Sequence, residues 1–190
     1  TLKKLVNENG AVFIHSYNYF DVICGQGTAV KELIEEVSGL QYLLVPVGGG
    51  GILSGSAIAA KAMNPRITVI GVEPANADDA YRSFKSGKLV PSVNPDTIAD
   101  GLLTSLGDLT FEIIKNNVND IITVKEESII EAMRTIWERM KIIIEPSSAV
   151  TLAAVLENKN IFKNKKLGLV LTGGNVDLEN LPFTLLSSRR

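Results

Sequence analysis

Four consecutive glycines separate an apolar run from a helix-like segment early in this chain. The sequence of residues 45–55 is VPVGGGGILSG, and the four glycines are Gly48, Gly49, Gly50 and Gly51. Glycine reaches positive φ at little cost, so successive N–H groups can face one anion while the following helix adds its positive dipole end. A flexible linker is the alternative, but linkers are polar on both sides, and this run is flanked by Val47 and Ile52. We therefore predict a strand, a phosphate-binding turn and a helix.

The two common nucleotide fingerprints do not fit this turn. A P-loop ends in Gly-Lys-Ser/Thr, but Gly55 is followed directly by Ser56. A G-x-G-x-x-G pattern that begins at Gly48 reaches Leu53 where its last glycine belongs. A dinucleotide-binding domain is kept as an alternative because Glu73 lies about 20 residues further on, where a ribose-binding acid belongs.

Composition limits the class of protein. At 190 residues and 45% hydrophobic content, the chain is expected to form one domain with a substantial core. A net charge of -2 without a basic run argues against nucleic acid or an anionic membrane as partner. No stretch is long enough for a membrane span, and we expect a cytoplasmic protein. The only cysteine, Cys24, is predicted to be buried, and the only histidine, His15, to be structural.

Short apolar runs alternate with helical patterns along the chain, which is typical of an α/β fold. The predicted strands cover residues 12–14, 42–47, 67–72, 120–124 and 167–171. The clearest helix covers residues 126–140, with Trp137 and the methionines predicted to lie in the core. We expect a doubly wound, mainly parallel sheet, in which ligands bind at the carboxyl ends of the strands.

Six ordered segments give a more specific indication. They are GAVFIHSYNYFDVICGQGT, VPVGGGG, GVEPANADD, TIADG, WERMKIIIEPSSAV and LTGGNVDL, and together they extend over nearly the whole chain. In this order they resemble the serine racemase and serine/threonine dehydratase family of fold-type II pyridoxal phosphate enzymes. The resemblance implies the large domain of a homodimeric enzyme that uses pyridoxal 5'-phosphate. It implies racemisation and dehydration of serine, with an L-serine/L-threonine ammonia-lyase as the alternative.

The resemblance also assigns cofactor contacts. It implies that the glycine run holds the phosphate, that the Gly101 backbone lies against the ring substituents, and that Glu145 lies near the cofactor. Thr172 is implied to lie at the pyridine nitrogen. A neutral hydroxyl leaves that nitrogen largely unprotonated, whereas a carboxylate would hold it protonated, and the weaker electron sink suits elimination and proton exchange.

An oxygen-rich turn follows the third predicted strand. Glu73, Asp79 and the Ala77 carbonyl supply three oxygens, as in sites for Mg²⁺ or Ca²⁺, and the resemblance implies a divalent cation there. The alternative is that both carboxylates cap the following helix.

Three further residues are implied as an effector site. In the family, the segment that contains Arg139 and Lys141 lies with the asparagine of the GGN motif, here Asn175, near a regulatory nucleotide at a subunit interface. The alternative for the two basic residues is a favourable interaction with the dipole of the helix that they terminate.

No residue of this chain is predicted to be catalytic. The family carries its Schiff-base lysine in an N-terminal Ser-x-Lys segment, which residues before Gly10 do not match. The sequence Ser83-Phe84-Lys85 looks similar but follows GVEPANADD, so Lys85 is predicted to be a solvated surface lysine. We expect residues 1–190 to be the C-terminal, cofactor-binding portion of a longer enzyme and to be inactive alone. A non-catalytic truncated homologue is the remaining alternative.

Overall fold

Residues 2–183 are described in the computed structural model of this chain, and residue 1 and residues 184–190 of the predicted 1–190 domain lie outside the described residues. The helices are α1 (Leu2–Asn9), α2 (Phe20–Glu36), α3 (Gly51–Met63), α4 (Asp79–Ser86), α5 (Asp108–Asn117), α6 (Glu126–Met140), α7 (Pro146–Glu157) and α8 (Lys159–Phe162). The strands are β1 (Tyr42–Pro46), β2 (Thr68–Pro74), β3 (Asp120–Val124) and β4 (Leu167–Leu169). A 3-10 turn covers Asp100–Leu102.

The four strands form one parallel sheet in the order β3-β2-β1-β4. Side chains of β1 alternate between two cores: Leu43 and Val45 pack with α2, α3 and α5, whereas Leu44 packs with α6 and α7. Helices therefore cover both faces, which explains why the strands are apolar along their whole length. The predicted α/β class and doubly wound parallel sheet are confirmed.

The strand predicted at residues 12–14 is wrong. Residues 11–15 have no regular structure, and Val12 is 81% exposed. An apolar run becomes a strand only when a neighbour pairs with its backbone, and no strand within residues 2–183 pairs with this one.

Two side chains predicted to lie in the core are instead exposed. Cys24 lies on the outer face of α2, beside the buried Ile23, because one step along a helix turns the side chain by about 100°. Met140 is the last residue of α6 and is 57% exposed, whereas Met133 is fully buried. Trp137 is half-buried, and its indole N–H donates to the Ile144 carbonyl at 2.9 Å.

Helices α2 and α3 cross at a pair of glycines. A Cβ on Gly55 would meet the Ile23 carbonyl oxygen and would lie 2.6 Å from the Gly27 nitrogen. This close backbone approach fixes the start of α3, and with it the glycine turn, against α2.

Within the described part of the chain, no helix is both long and apolar enough to cross a membrane.

Candidate active site

A cavity of about 420 Å³ opens at the carboxyl end of the sheet, beside β1. Strand order reverses there, since β2 and β4 lie on opposite sides of β1, and such reversal points are where α/β sheets bind ligands. The structure brings four separately predicted elements to its wall: the run Gly48–Gly51, Gly101, Glu145 and Thr172.

The glycine turn is tightly enclosed on the side away from the cavity. Gly50 has a φ of 88° and immediately precedes α3. A Cβ on Gly50 would lie 2.8 Å from Leu106 Cδ2 and 2.9 Å from Thr110 Oγ1. The Thr110 hydroxyl also donates to the Gly49 carbonyl at 2.8 Å. Both backbone conformation and space therefore require glycine at position 50.

The opposite wall combines Gly101 with a residue that sequence reasoning missed. The Gly101 N–H donates to Ser147 Oγ at 3.1 Å, and a Cβ on Gly101 would lie 2.9 Å from the same oxygen. Ser147 is buried in the first turn of α7 and lines the cavity. The available signal was a serine directly after Pro146, at the predicted start of a helix facing the sheet end.

Glu145 holds the segment that contains Thr172. Its backbone N–H donates to the Gly173 carbonyl at 3.0 Å, and its Oε2 accepts the Asn175 N–H at 3.0 Å. A Cβ on Gly173 would lie 2.9 Å from Glu145 Oε1, so glycine is needed for this approach. Glu145 therefore shapes the wall on which Thr172 lies, in addition to lining the cavity.

Sequence reasoning also missed Tyr17, whose ring lies against Gly49. A Cβ on Gly49 would lie 2.5 Å from atoms of that ring. The loop is held by His15, whose Nδ1 accepts the Asn18 N–H at 3.1 Å, in agreement with the predicted structural role of the histidine. Ser16, Gln26 and Thr104 complete the polar lining, and no lysine within residues 2–183 lines the cavity.

Glu73 and Asp79 are both buried, each only 1% exposed. The two Glu73 oxygens accept the Ala80 N–H at 3.2 Å and the Tyr81 N–H at 2.5 Å, and Asp79 Oδ2 accepts the Leu106 N–H at 3.3 Å. The predicted capping of α4 is therefore present for Glu73. Burial and these bonds leave Glu73 no access to a ribose, which argues against the dinucleotide alternative.

Both carboxyl groups have raised pKa values. Burial raises the pKa of Glu73 to about 9, although the Tyr81 and Ala80 N–H groups act in the opposite direction. Burial also raises the pKa of Asp79 to about 6, against the effect of the Leu106 N–H. The described residues contain no cluster of three or more His, Cys, Asp or Glu side chains suited to a metal, so a cation here would need the Ala77 carbonyl and water.

We expect the cation-free protein to lose stability as pH rises from 6 to 9. The native pKa of Glu73, about 9, exceeds the ordinary 4.5, so the native state holds more protons than the unfolded chain in this window and rising pH favours unfolding. Melting temperatures measured in a chelator across this range check the sign. Glu73→Gln, which mimics the protonated acid, should flatten the dependence. A wild-type melting temperature that is constant or rises with pH would contradict the prediction.

The remaining predicted residues lie outside the cavity. Lys85 forms an ion pair with Asp120 at 2.7 Å on the protein surface, in agreement with its predicted solvated state. Arg139, Lys141 and Asn175 are all exposed, and none of them lines the cavity.

Comparisons with known proteins identify the family. Residues 1–173 match the model of the pyridoxal-phosphate dependent enzyme family. The chain belongs to this family.

Similar members of the pyridoxal-phosphate dependent enzyme family include a serine racemase of Dictyostelium discoideum, 51% identical over 185 residues, which are 94% of this chain and 56% of that protein. The beta-hydroxyaspartate dehydratase of Paracoccus denitrificans (strain Pd 1222) is 48% identical over 183 residues, covering 96% of this chain and 58% of that protein. The crystal structure of the Dictyostelium racemase superposes with a TM-score of 0.88 at 52% identity, over 93% of this chain and 57% of that one. This chain thus spans a little more than half the length of these relatives.

Proposed function

We propose that this chain forms the cofactor-anchoring part of a pyridoxal phosphate enzyme that racemises and dehydrates serine. The observation that carries the proposal is the convergence of the glycine turn, Gly101, Glu145 and Thr172 on one cavity at the carboxyl end of the sheet. These elements come from four separate parts of the sequence, and only the fold brings them together.

The residues present fit pyridoxal phosphate. The turn at Gly48–Gly51 would receive the phosphate, because its positive-φ glycine and the start of α3 expose N–H groups to an anion. Gly101 and Thr172 line the same cavity, at positions where they would contact the ring. Bound pyridoxal phosphate supplies an electron sink that stabilises negative charge at the substrate Cα.

Serine is the proposed substrate because the Dictyostelium relative is a serine racemase. Racemisation to D-serine and loss of the β-hydroxyl to give pyruvate and ammonia both begin with removal of the Cα proton. The L-serine/L-threonine ammonia-lyase alternative therefore differs in the fate of one reaction. A second candidate, dehydration of 3-hydroxyaspartate, is favoured by the similar identity to the Paracoccus dehydratase, 48%.

We expect residues 1–190 alone to form neither product from L-serine, and a chimera to form them. In the chimera, this chain replaces the matching 57% of the Dictyostelium racemase. The isolated chain has no lysine at the cavity within residues 2–183, so no amine is positioned to react with the cofactor carbonyl. Pyruvate and D-serine are followed with L-serine, and oxaloacetate with 3-hydroxyaspartate, after addition of pyridoxal phosphate.

A folded chimera that binds the cofactor but converts none of these substrates would contradict the proposed function. Turnover by the isolated chain, with a borohydride-reduced cofactor label mapped to Lys85, would overturn both the inactivity and the assignment of Lys85 as a surface residue. Lys85→Ala is the matched control for that label, because it removes only a surface ion pair.

The same enzyme is proposed to bind Mg²⁺ or Ca²⁺ at Glu73, Asp79 and the Ala77 carbonyl. Two buried carboxylates in one turn support this, since their mutual repulsion and burial are relieved by a cation. Capping of α4 is compatible with this role, because a carboxylate oxygen that accepts one N–H retains a second lone pair.

We expect added Mg²⁺ or Ca²⁺ to raise the melting temperature of chelator-treated protein, and Asp79→Asn to remove most of that rise. Asp78→Asn is the matched control, because Asp78 is adjacent in sequence but pairs with Arg82 at 2.8 Å at the surface. An equal response in all three proteins, or no response in the wild type, would leave Glu73 and Asp79 with the capping role alone.

Three further parts of the proposal stay predictions. Exposed Arg139 and Lys141, at the end of α6, together with exposed Asn175, support a nucleotide effector site near this end of the molecule. The homodimer and the cytoplasmic location rest on the sequence resemblance and composition.

A further inference from the structure

Ser148 lies behind the cavity wall and contacts the Thr172 segment through one oxygen. The residue is fully buried in the first turn of α7 and does not line the cavity. Its Oγ accepts the Thr172 N–H at 3.0 Å and the Gly173 N–H at 2.7 Å. The same oxygen lies 2.7 Å from the Gly173 carbonyl oxygen and 3.1 Å from Thr172 Oγ1.

These four contacts determine which hydroxyl donates. A hydroxyl has one proton and two lone pairs. The two backbone N–H groups occupy both lone pairs of Ser148, so Ser148 has no acceptor capacity left for the Thr172 hydroxyl. The Ser148 proton is directed to the Gly173 carbonyl or to Thr172 Oγ1, and in either case Thr172 keeps its own proton.

The Thr172 hydroxyl proton then has one direction left. Within residues 2–183, Ser148 Oγ is the only side-chain partner of Thr172 Oγ1, and Thr172 lines the cavity. The Gly173 carbonyl already receives the Glu145 N–H at 3.0 Å and the Ser148 hydroxyl, so it has no free lone pair for Thr172.

We propose that Ser148 is a positioning residue that makes the Thr172 hydroxyl a hydrogen-bond donor into the cavity. The inference rests on the proposed function, because it concerns the polarity of the wall that meets the cofactor ring. A donor at this place favours a ligand ring whose nitrogen has a free lone pair and disfavours a ring that presents C–H or N–H there. Ser148 thus acts through Thr172 to select the unprotonated form of a pyridine.

The test uses ligands that need no lysine. Pyridoxine 5'-phosphate and its carbocyclic analogue, in which C–H replaces the ring nitrogen, are titrated calorimetrically into the 190-residue chain. Their shapes match, so the ratio of the two dissociation constants reports the hydrogen bond to the ring nitrogen. We expect the wild type to prefer the pyridine by about tenfold, the size of one net hydrogen bond.

Ser148→Ala should reduce this preference to about threefold or less, because Thr172 can then donate to the Gly173 carbonyl. Thr151→Val is the matched control: it removes another fully buried hydroxyl of α7, which donates to the Ser148 carbonyl at 3.3 Å, and it should keep the preference. Ser148→Cys is the second variant, for the case in which Ser148→Ala does not fold. A thiol is a weak donor and acceptor, so this variant should also lose preference.

The ring-nitrogen ¹⁵N resonance of labelled pyridoxine phosphate supplies a spectroscopic readout that a purely structural role would not change. In the wild type it should report an unprotonated, hydrogen-bonded nitrogen, and in the folded Ser148 variant that was titrated the shift should move. Equal binding of the two ligands by the wild type, or full preference in that variant, would overturn the inference and leave the cofactor site standing. Binding of neither ligand to the folded wild type would overturn both.

Discussion

Replacement of Gly49 and Gly50 by valine is expected to abolish binding of pyridoxal phosphate. At Gly50 the φ of 88° is strained for any residue with a Cβ, and the added carbon would lie 2.8 Å from Leu106 Cδ2. At Gly49 it would lie 2.5 Å from the Tyr17 ring. The turn would have to open, and its N–H groups would no longer face one phosphate. Equilibrium titration of the cofactor into wild type and double variant measures the loss.

A control with the same backbone strain is available at Gly87. Its φ is 69°, and no atom lies within 4 Å of the position that a Cβ would take, so Gly87→Val tests the strain of a left-handed residue away from the cavity. Gly87→Val should lose some stability and keep its affinity for the cofactor. Unchanged cofactor affinity in the Gly49/Gly50 double variant would remove the glycine turn from the account.

Gly55→Ala is expected to be strongly destabilising, although it lies outside the cavity. The added Cβ would meet the Ile23 carbonyl oxygen and lie 2.6 Å from the Gly27 nitrogen, and neither backbone atom can move without separating α2 from α3. Overpacking of this kind costs about 3 kcal/mol at the upper end of its usual range. For a chain of this size we expect the melting temperature to fall by roughly 6–12 °C.

Gly25→Ala is the matched control for this substitution. Gly25 lies on α2 as Gly27 does, but no atom lies within 4 Å of the position that its Cβ would take. Alanine is favoured over glycine inside a helix by about 0.5–1 kcal/mol, so this variant should gain stability. A Gly55→Ala protein as stable as the wild type would show that the two helices do not meet at Gly27 and Gly55.

The fold was largely predictable because local pattern and tertiary packing agree in most of the chain. The β1 segment is apolar on both faces, and the structure places a separate core against each face. Residues 12–14 have the same local composition but no pairing strand within residues 2–183, and pairing is a long-range property that the segment itself does not encode. Cys24 illustrates the same limit, because its exposure depends on which side of α2 meets α3.

The cavity was predictable where glycine marks a close approach, and less so where ordinary side chains provide the wall. Gly48–Gly51 and Gly101 were assigned from sequence, and they line the cavity. Tyr17 and Ser147 were missed because tyrosine and serine are common in loops and helix starts, and only the fold brings them to the sheet end. Ser148 was missed for a further reason: it acts from behind the wall, through hydrogen bonds whose partners are 24 and 25 residues away.

The most direct test of the cofactor site is a ¹H–¹⁵N NMR titration of the labelled 190-residue chain with pyridoxal phosphate. The account predicts saturable shifts at the amides of the glycine turn, Gly101 and Thr172. Pyridoxal without the phosphate should leave the glycine-turn amides unshifted, because the turn is assigned to the phosphate. Saturable binding that leaves the glycine-turn amides unchanged, or no saturable binding of pyridoxal phosphate beside saturable binding of NAD, would contradict the account.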